Sequence, residues 1–371
     1  MVTLGEIFRQ YGPAYREKYG DRLLPSHRRA MWAIEHCRTP TLGGHVYYCE
    51  DCDTYHYHYH SCRNRHCPQC QTRQGQQWLA GQADRLLPVP YFMLTFTLPE
   101  ALRAVARQHQ RLIYDLLFRI SAAAIQQLAA DTRFVGGQLG LVGVLHTWGR
   151  NLSYHPHVHY VVPGVGWTAD GQVCRAKRTH FLLPVRALSR LFRAKFRAAV
   201  RDIACWGEIP DTVWQQEWVV HCQPVGCGLP ALKYLAPYIF RVALSNQRLV
   251  KLAHDKVTFR YRATDTGTLK TCTLHVEEFI RRYLQHVLPK GLVKVRYYGF
   301  FSPGLRARLA RIRAQLAQYS AQSPDRQAPP AETAAAQVVS VARPGFCCPT
   351  CGRPLQRCAS IPPQDRAPPT P

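Results

Sequence analysis

Acidic side chains are scarce in this 371-residue chain. Twenty-three Asp and Glu stand against 48 Lys and Arg, leaving a formal net charge of +25 and a pI near 9.8. So few carboxylates exclude self-neutralisation, and an excess of this size makes sense where a polyanion supplies the missing charge. DNA or RNA is the expected partner, because cations that neutralise phosphates release condensed counterions. An anionic membrane surface is the alternative. Long apolar runs are lacking too, and no signal-peptide pattern opens the chain, so the expectation is a soluble, cytoplasmic protein. No internal repeat is found, which sets aside repeat architectures.

What is present can build a core, since 46% of residues are hydrophobic. The length suggests one sizeable core with appended modules, or two domains. Fifteen cysteines are many, and several fall in C-x-x-C pairs. Without a secretory leader, that pattern argues for zinc-binding thiolates rather than disulfides.

The pattern along the chain predicts an α+β protein. Residues 1–36 read as amphipathic helices, 37–70 as a short-stranded segment rich in Cys and His, and 71–87 as a linking helix. The composition shifts at Pro88-Val89-Pro90, after which Tyr91–Leu98 reads as a buried strand. A long helical segment runs to about Asp131, and Leu139–His146 and His157–Val162 read as further strands. Residues 185–203 carry Leu188, Phe192, Phe196 and Val200 on one helical stripe, with Arg190, Arg193, Arg197 and Arg201 off it. A hairpin is expected over 257–276, around Asp265-Thr266-Gly267, and a basic helix over about 304–318. The expected division is a helical and zinc-binding module at 1–87, a catalytic domain at 88–319, a flexible linker at 320–345, and a cysteine cluster with a Pro-rich tail at 346–371.

Cys49-x2-Cys52 and Cys67-x2-Cys70 are the strongest local signal. Two knuckles 14 residues apart can place four thiolates around one tetrahedral zinc, as in a ribbon. Cys37, His45, Cys62 and His66 are surplus donors nearby, able to bind a second ion or to replace one of the four. Cys347, Cys348, Cys351 and Cys358 form an irregular cluster that can make a further knuckle.

The segment Tyr154–Val162 contains His157 and His159, two apart. On a strand they project side by side, while Val158, Tyr160 and Val162 face the opposite way, into a core. Two imidazoles on one rigid strand make half of a divalent metal site that needs a third ligand. His146 and His155 are the candidates. Downstream, Tyr234 and Tyr238 stand four apart and share a face if the segment is helical. A tyrosine can attack a phosphodiester once a metal polarises the phosphate. Pro237 between them predicts a lost hydrogen bond or a kink, so that one tyrosine alone can serve.

These residues belong to an ordered set of motifs. Cys37-Arg38-Thr39, Leu42–Val46, Ser61–Cys70, Phe96–Pro99, His155–His159, Tyr234–Tyr238, Arg241–Ala243, Phe279–Arg282 and Tyr298–Phe300 together resemble the IS91 family of transposases, over roughly residues 5–305. The resemblance implies the fold of the HUH single-strand endonucleases, an antiparallel sheet backed by helices, with a zinc-ribbon-like head. It implies Mg²⁺ or Mn²⁺ on His157 and His159, structural Zn²⁺ in the head, and Tyr234 and Tyr238 as nucleophiles that become joined to the 5′ end of the cut strand. It further implies rolling-circle-like transposition of single-stranded ends in the bacterial cytoplasm, at the nucleoid. Met93, Pro237 and Phe240 depart from the commonest family pattern. Arg63, Arg65, Arg281, Arg282 and Arg296 are the candidate DNA contacts, the last within a run that mixes cations and aromatics. The reading from another class is a non-catalytic zinc-ribbon DNA-binding regulator, or an inactive element remnant.

Overall fold

The structure is a computed structural model that describes residues 2–203, 205–239, 244–263, 266–322 and 346–364. Most of the expected linker, the end of the Pro-rich tail, Phe240, Asp265 and the motif Arg241–Ala243 lie outside the described residues.

Helices α1 (Leu4–Tyr19) and α2 (Pro25–His36) precede the hairpin of β1 (Gly44–Cys49) and β2 (Thr54–Tyr59), and α3 (Thr72–Ala83) follows. Strand β3 (Tyr91–Thr97) leads to α4 (Arg103–Gln108) and α5 (Gln110–Ala129). Then come β4 (Gln138–Leu139), β5 (Leu141–Trp148), β6 (Tyr154–Pro163), β7 (Val165–Trp167), β8 (Val173–Arg175), α6 (Val185–Val200) and α7 (Thr212–Gln215). After β9 (Val220–Pro224) and α8 (Leu229–Ile239), a meander of β10 (Leu249–Ala253), β11 (Lys256–Arg262) and β12 (Leu269–His275) runs into α9 (Val276–Leu284). Strand β13 (Val295–Tyr298), α10 (Arg306–Gln322) and β14 (Gln356–Ile361) complete the order. The protein is α+β, as its sequence pattern predicts.

A five-stranded antiparallel sheet in the order β13-β5-β6-β3-β9 positions the site. Strand alternation loads both of its faces with apolar side chains. On one face Phe96, Val158, Tyr160 and Val162 pack against α5 and against the Leu188-Phe192-Phe196-Val200 stripe of α6. On the other, Val142, Val144 and Val161 meet Leu232, Leu235 and Ile239 of α8 and Ile312 and Leu316 of α10. Helix α5 is long and apolar enough to cross a membrane, but Leu117, Phe118 and Ile125 belong to the sheet core, and Tyr160 donates its hydroxyl to the Phe118 carbonyl. Gly299 is required where β13 ends: its φ is +59°, and a Cβ there would lie 1.7 Å from the Leu139 carbonyl oxygen.

The head is not separate from the rest of the chain. Helix α1 starts on a capping box in which Thr3 and Glu6 satisfy each other's backbone N–H. Its buried Ile7 and Phe8 share a core with Val257 and Phe259 of β11 and Phe279 and Tyr283 of α9. The segment expected as a separate terminal cluster sends β14 onto the edge of the head hairpin, giving a sheet ordered β14-β1-β2.

Candidate functional site

His157 and His159 lie on β6, the central strand of the large sheet, and His146 lies opposite His157 on β5. This register brings a third imidazole to the pair. The ligating nitrogens of His146, His157 and His159 all fall within 4.8 Å of one another. His155, the other candidate, is drawn away because its Nδ1 accepts a hydrogen bond from Arg103 at 3.0 Å.

Neighbouring groups orient two of the rings. The His157 Nδ1 is 2.6 Å from the His155 carbonyl oxygen, which can only accept, so the proton sits on Nδ1 and the Nε2 lone pair is free for a cation. The His159 Nδ1 is held by the Thr95 hydroxyl at 2.8 Å, across the β3–β6 pairing. Burial away from water disfavours the imidazolium form. It depresses His146 and His157 well below the usual histidine range and His159 to about 4. The cluster is therefore neutral at physiological pH, as ligation requires. Three neutral imidazoles that line an open cleft fit a divalent cation with positions left for substrate.

Tyr234 stands next to this cluster. Helix α8 buries Leu232, Leu235 and Ile239 and turns Tyr234 outward, 52% exposed. The Tyr234 ring lies 6.3 Å from the His159 ring at an interplanar angle of 89°. The helix continues through Pro237 to Ile239, so Tyr238 lies on the same helix four residues on; its side chain is outside the described ones.

The histidines and Tyr234 line a cleft of about 890 Å³ whose other walls include Arg150, Arg248, Arg260 and Arg262, with no acidic residue among its described lining residues. Arg150 donates to the carbonyls of Arg262 and Ala263, and Arg248 to those of Arg260 and Arg150. These bonds tie the β5–β6 turn to the β10–β11 hairpin. A cleft lined by one sign of charge focuses its field on an anion. Sequence reading missed these four arginines, because they come from three separated segments of a chain rich in arginine.

The arginines expected to meet DNA are mostly engaged within the protein. Arg65 donates to the carbonyls of Leu292 and Pro289, and Arg296 pairs with Asp115 at 2.6 Å while covering the Phe118 ring. Arg281 and Arg282 both pair with Glu278 at 2.6 Å. Arg63 is exposed.

The cysteine expectation needs correction. Cys49, Cys52, Cys67 and Cys70 do not surround one ion; they divide between two clusters, Cys37-Cys62-Cys67-Cys70 and Cys49-Cys52-Cys348-Cys351. The cause is the hairpin. Cys37 and Cys62 flank its base, where Arg38 N–H reaches the His60 carbonyl, whereas Cys49 and Cys52 sit at its tip. Six paired residues at about 3.3 Å each separate base from tip by roughly 20 Å. His66 is no ligand: its Nε2 accepts the Leu288 N–H at 3.1 Å and its Nδ1 faces Asn64. In the base cluster the Cys62 and Cys70 sulfurs are 3.7 Å apart. Zn–S bonds of about 2.3 Å give a tetrahedral edge of about 3.8 Å, so the donor set fits zinc.

Comparison with known proteins agrees with this geometry. A model of the transposase zinc-binding domain matches residues 7–98, and a model described as a putative transposase matches residues 140–308. The fold and site thus define a transposase with a structural-zinc head, a DNA-acting enzyme. The chain belongs to the IS91 family of transposases. It is 41% identical to the putative transposase y4qJ of Sinorhizobium fredii, over 88% of this chain and 87% of that one. It is 29% identical to the transposase for insertion sequence element IS801 of Pseudomonas savastanoi pv. phaseolicola, over 72% and 68%. No solved structure matches the chain.

Proposed function

We propose that this transposase cuts single-stranded DNA at the ends of its element and rejoins it through a 5′-phosphotyrosine bond, in a rolling-circle-like route at the bacterial nucleoid. The observation that carries the reading is the Tyr234 ring at the edge of the three-histidine cluster, inside an arginine-walled cleft. His146, His157 and His159 would hold a divalent ion, which supplies polarisation of the scissile phosphate and stabilisation of its developing charge. Of the two expected ions, Mn²⁺ suits an all-nitrogen donor set better than Mg²⁺, which prefers oxygen ligands.

The chain's own residues do the rest. Arg150, Arg248, Arg260 and Arg262 bind and align the phosphate backbone. The Tyr234 oxygen attacks phosphorus, a Tyr–O–P bond forms, and the P–O3′ bond breaks. The phenolic proton ends on the departing 3′ oxygen. One ester replaces another, so rejoining needs no nucleotide. Tyr238 offers a second acceptor for a successive transfer.

The test incubates protein and labelled single-stranded DNA from the element ends with Mn²⁺ or Mg²⁺. A covalent adduct is expected, lost in Tyr234→Phe/Tyr238→Phe and in His157→Ala, with Mn²⁺ effective at the lower concentration. An adduct that survives the double tyrosine change overturns the assignment. Tight binding without any adduct identifies a regulator or an inactive remnant instead.

A further inference from the structure

We infer that Cys49, Cys52, Cys348 and Cys351 form a second four-thiolate zinc site, built from the two ends of the chain and distinct from the Cys37 site. All four sulfurs lie within 4.8 Å of one another. The Cys49–Cys351 and Cys52–Cys348 sulfur separations are 3.5 and 3.9 Å, which bracket the tetrahedral edge of about 3.8 Å expected for zinc thiolate bonds. Disulfides would need about 2.05 Å and would join the sulfurs only in pairs.

The two halves are built alike. In the hairpin tip the backbone N–H of Cys52 points at the Cys49 sulfur, and in the tail that of Cys351 points at the Cys348 sulfur. Such N–H donors stabilise the thiolates a metal requires. The tail turn is closed by the Gly352 N–H on the Cys348 carbonyl at 2.8 Å, and Gly352 takes a φ of +75°, which glycine adopts without strain. The Cys347↔Pro354 bridge closes the same turn, and β14 pairs with β1 from Gly44↔Ile361 to Tyr48↔Gln356. That register carries the tail knuckle to the hairpin tip. The tail also covers the β1 edge, which would otherwise present unpaired backbone groups. On binding, each thiol that ionises releases its proton to solvent, and no redox step occurs.

Metal content of the full chain tests the site, measured under reducing conditions and in a His157→Ala background so that the histidine cluster contributes nothing. Two zinc ions per chain are expected. The change Cys348→Ser/Cys351→Ser should leave one, and Cys351→His, which keeps a tetrahedral nitrogen and sulfur donor set, should retain two. A protease site placed between residues 323 and 345 supplies a measurement independent of these variants. After cleavage the C-terminal fragment should stay attached until a zinc chelator is added. One ion in the parent protein, two in the double serine variant, or release of the fragment without chelator would each overturn the proposal.

Discussion

The histidine cluster and the cysteine clusters are both candidate ligand sets, but they are assembled in opposite ways. The histidines come from adjacent strands, 11 and 13 residues apart in sequence, and open onto a cleft. Each cysteine cluster offers four donors from turns, loops and a strand end, and one reaches across 302 residues. Three ligands on a packed sheet would leave a position for substrate, whereas four close around the ion. On the proposed reading, the chemistry sits on the packed sheet and zinc joins separate segments of the head.

The strongest way to break this contrast is Cys67→Ser. Structural zinc contributes about 10–16 kcal/mol of apparent binding energy, against a domain stability of about 5–15 kcal/mol. Loss of the cooperative thermal transition of the head is expected in calorimetry, because Cys67 is fully buried beside the α1–α9 core. By contrast, Thr95→Val should spare the melting temperature and lower metal affinity or adduct rate by about 10-fold, since it removes only the hydroxyl that orients His159.

Acid should weaken the metal-free fold. Burial depresses His27 to about 4 and His286 to about 3, so between pH 6.5 and about 4 the unfolded chain binds protons that the folded chain does not. Stability is expected to be full above pH 6.5 and to fall as pH drops through that window, read as a declining urea midpoint. A midpoint that stays flat would show these imidazoles to be solvated. The smallest effect is expected from Arg260→Gln. Losing one phosphate contact should flatten the salt dependence of single-strand binding by about 0.7 in log–log slope. An unchanged slope would place the DNA elsewhere than in the cleft.

Local periodicity made much of the fold legible in the sequence. The α6 stripe, the β11–β12 hairpin and the alternation around His157 each follow from side-chain spacing within one element. The third histidine of the cluster needed the β5–β6 register, which spacing does not specify, although His146 was already one of two choices. The cysteine pairing was not legible, because a C-x-x-C motif fixes its own turn but not its partner. Here the hairpin length decided it. The cleft arginines were hidden for a related reason: carbonyl hydrogen bonds between distant segments select them from many similar residues.

The pairing of β14 with β1 also bears on synthesis. A ribosome adds about 5–20 residues per second, so the chain from Cys52 to Cys348, a separation of 296 residues, takes roughly 15–60 s to appear. Throughout that interval the head hairpin has emerged with an uncovered edge and two of the four thiols, while the sheet that carries the histidines is completed only once β13 has followed, at Tyr298. A message truncated after α10 would yield a chain with its cleft assembled and its head unfinished. Pairing of β14 thus closes the head only after the sheet that carries the histidines has been made.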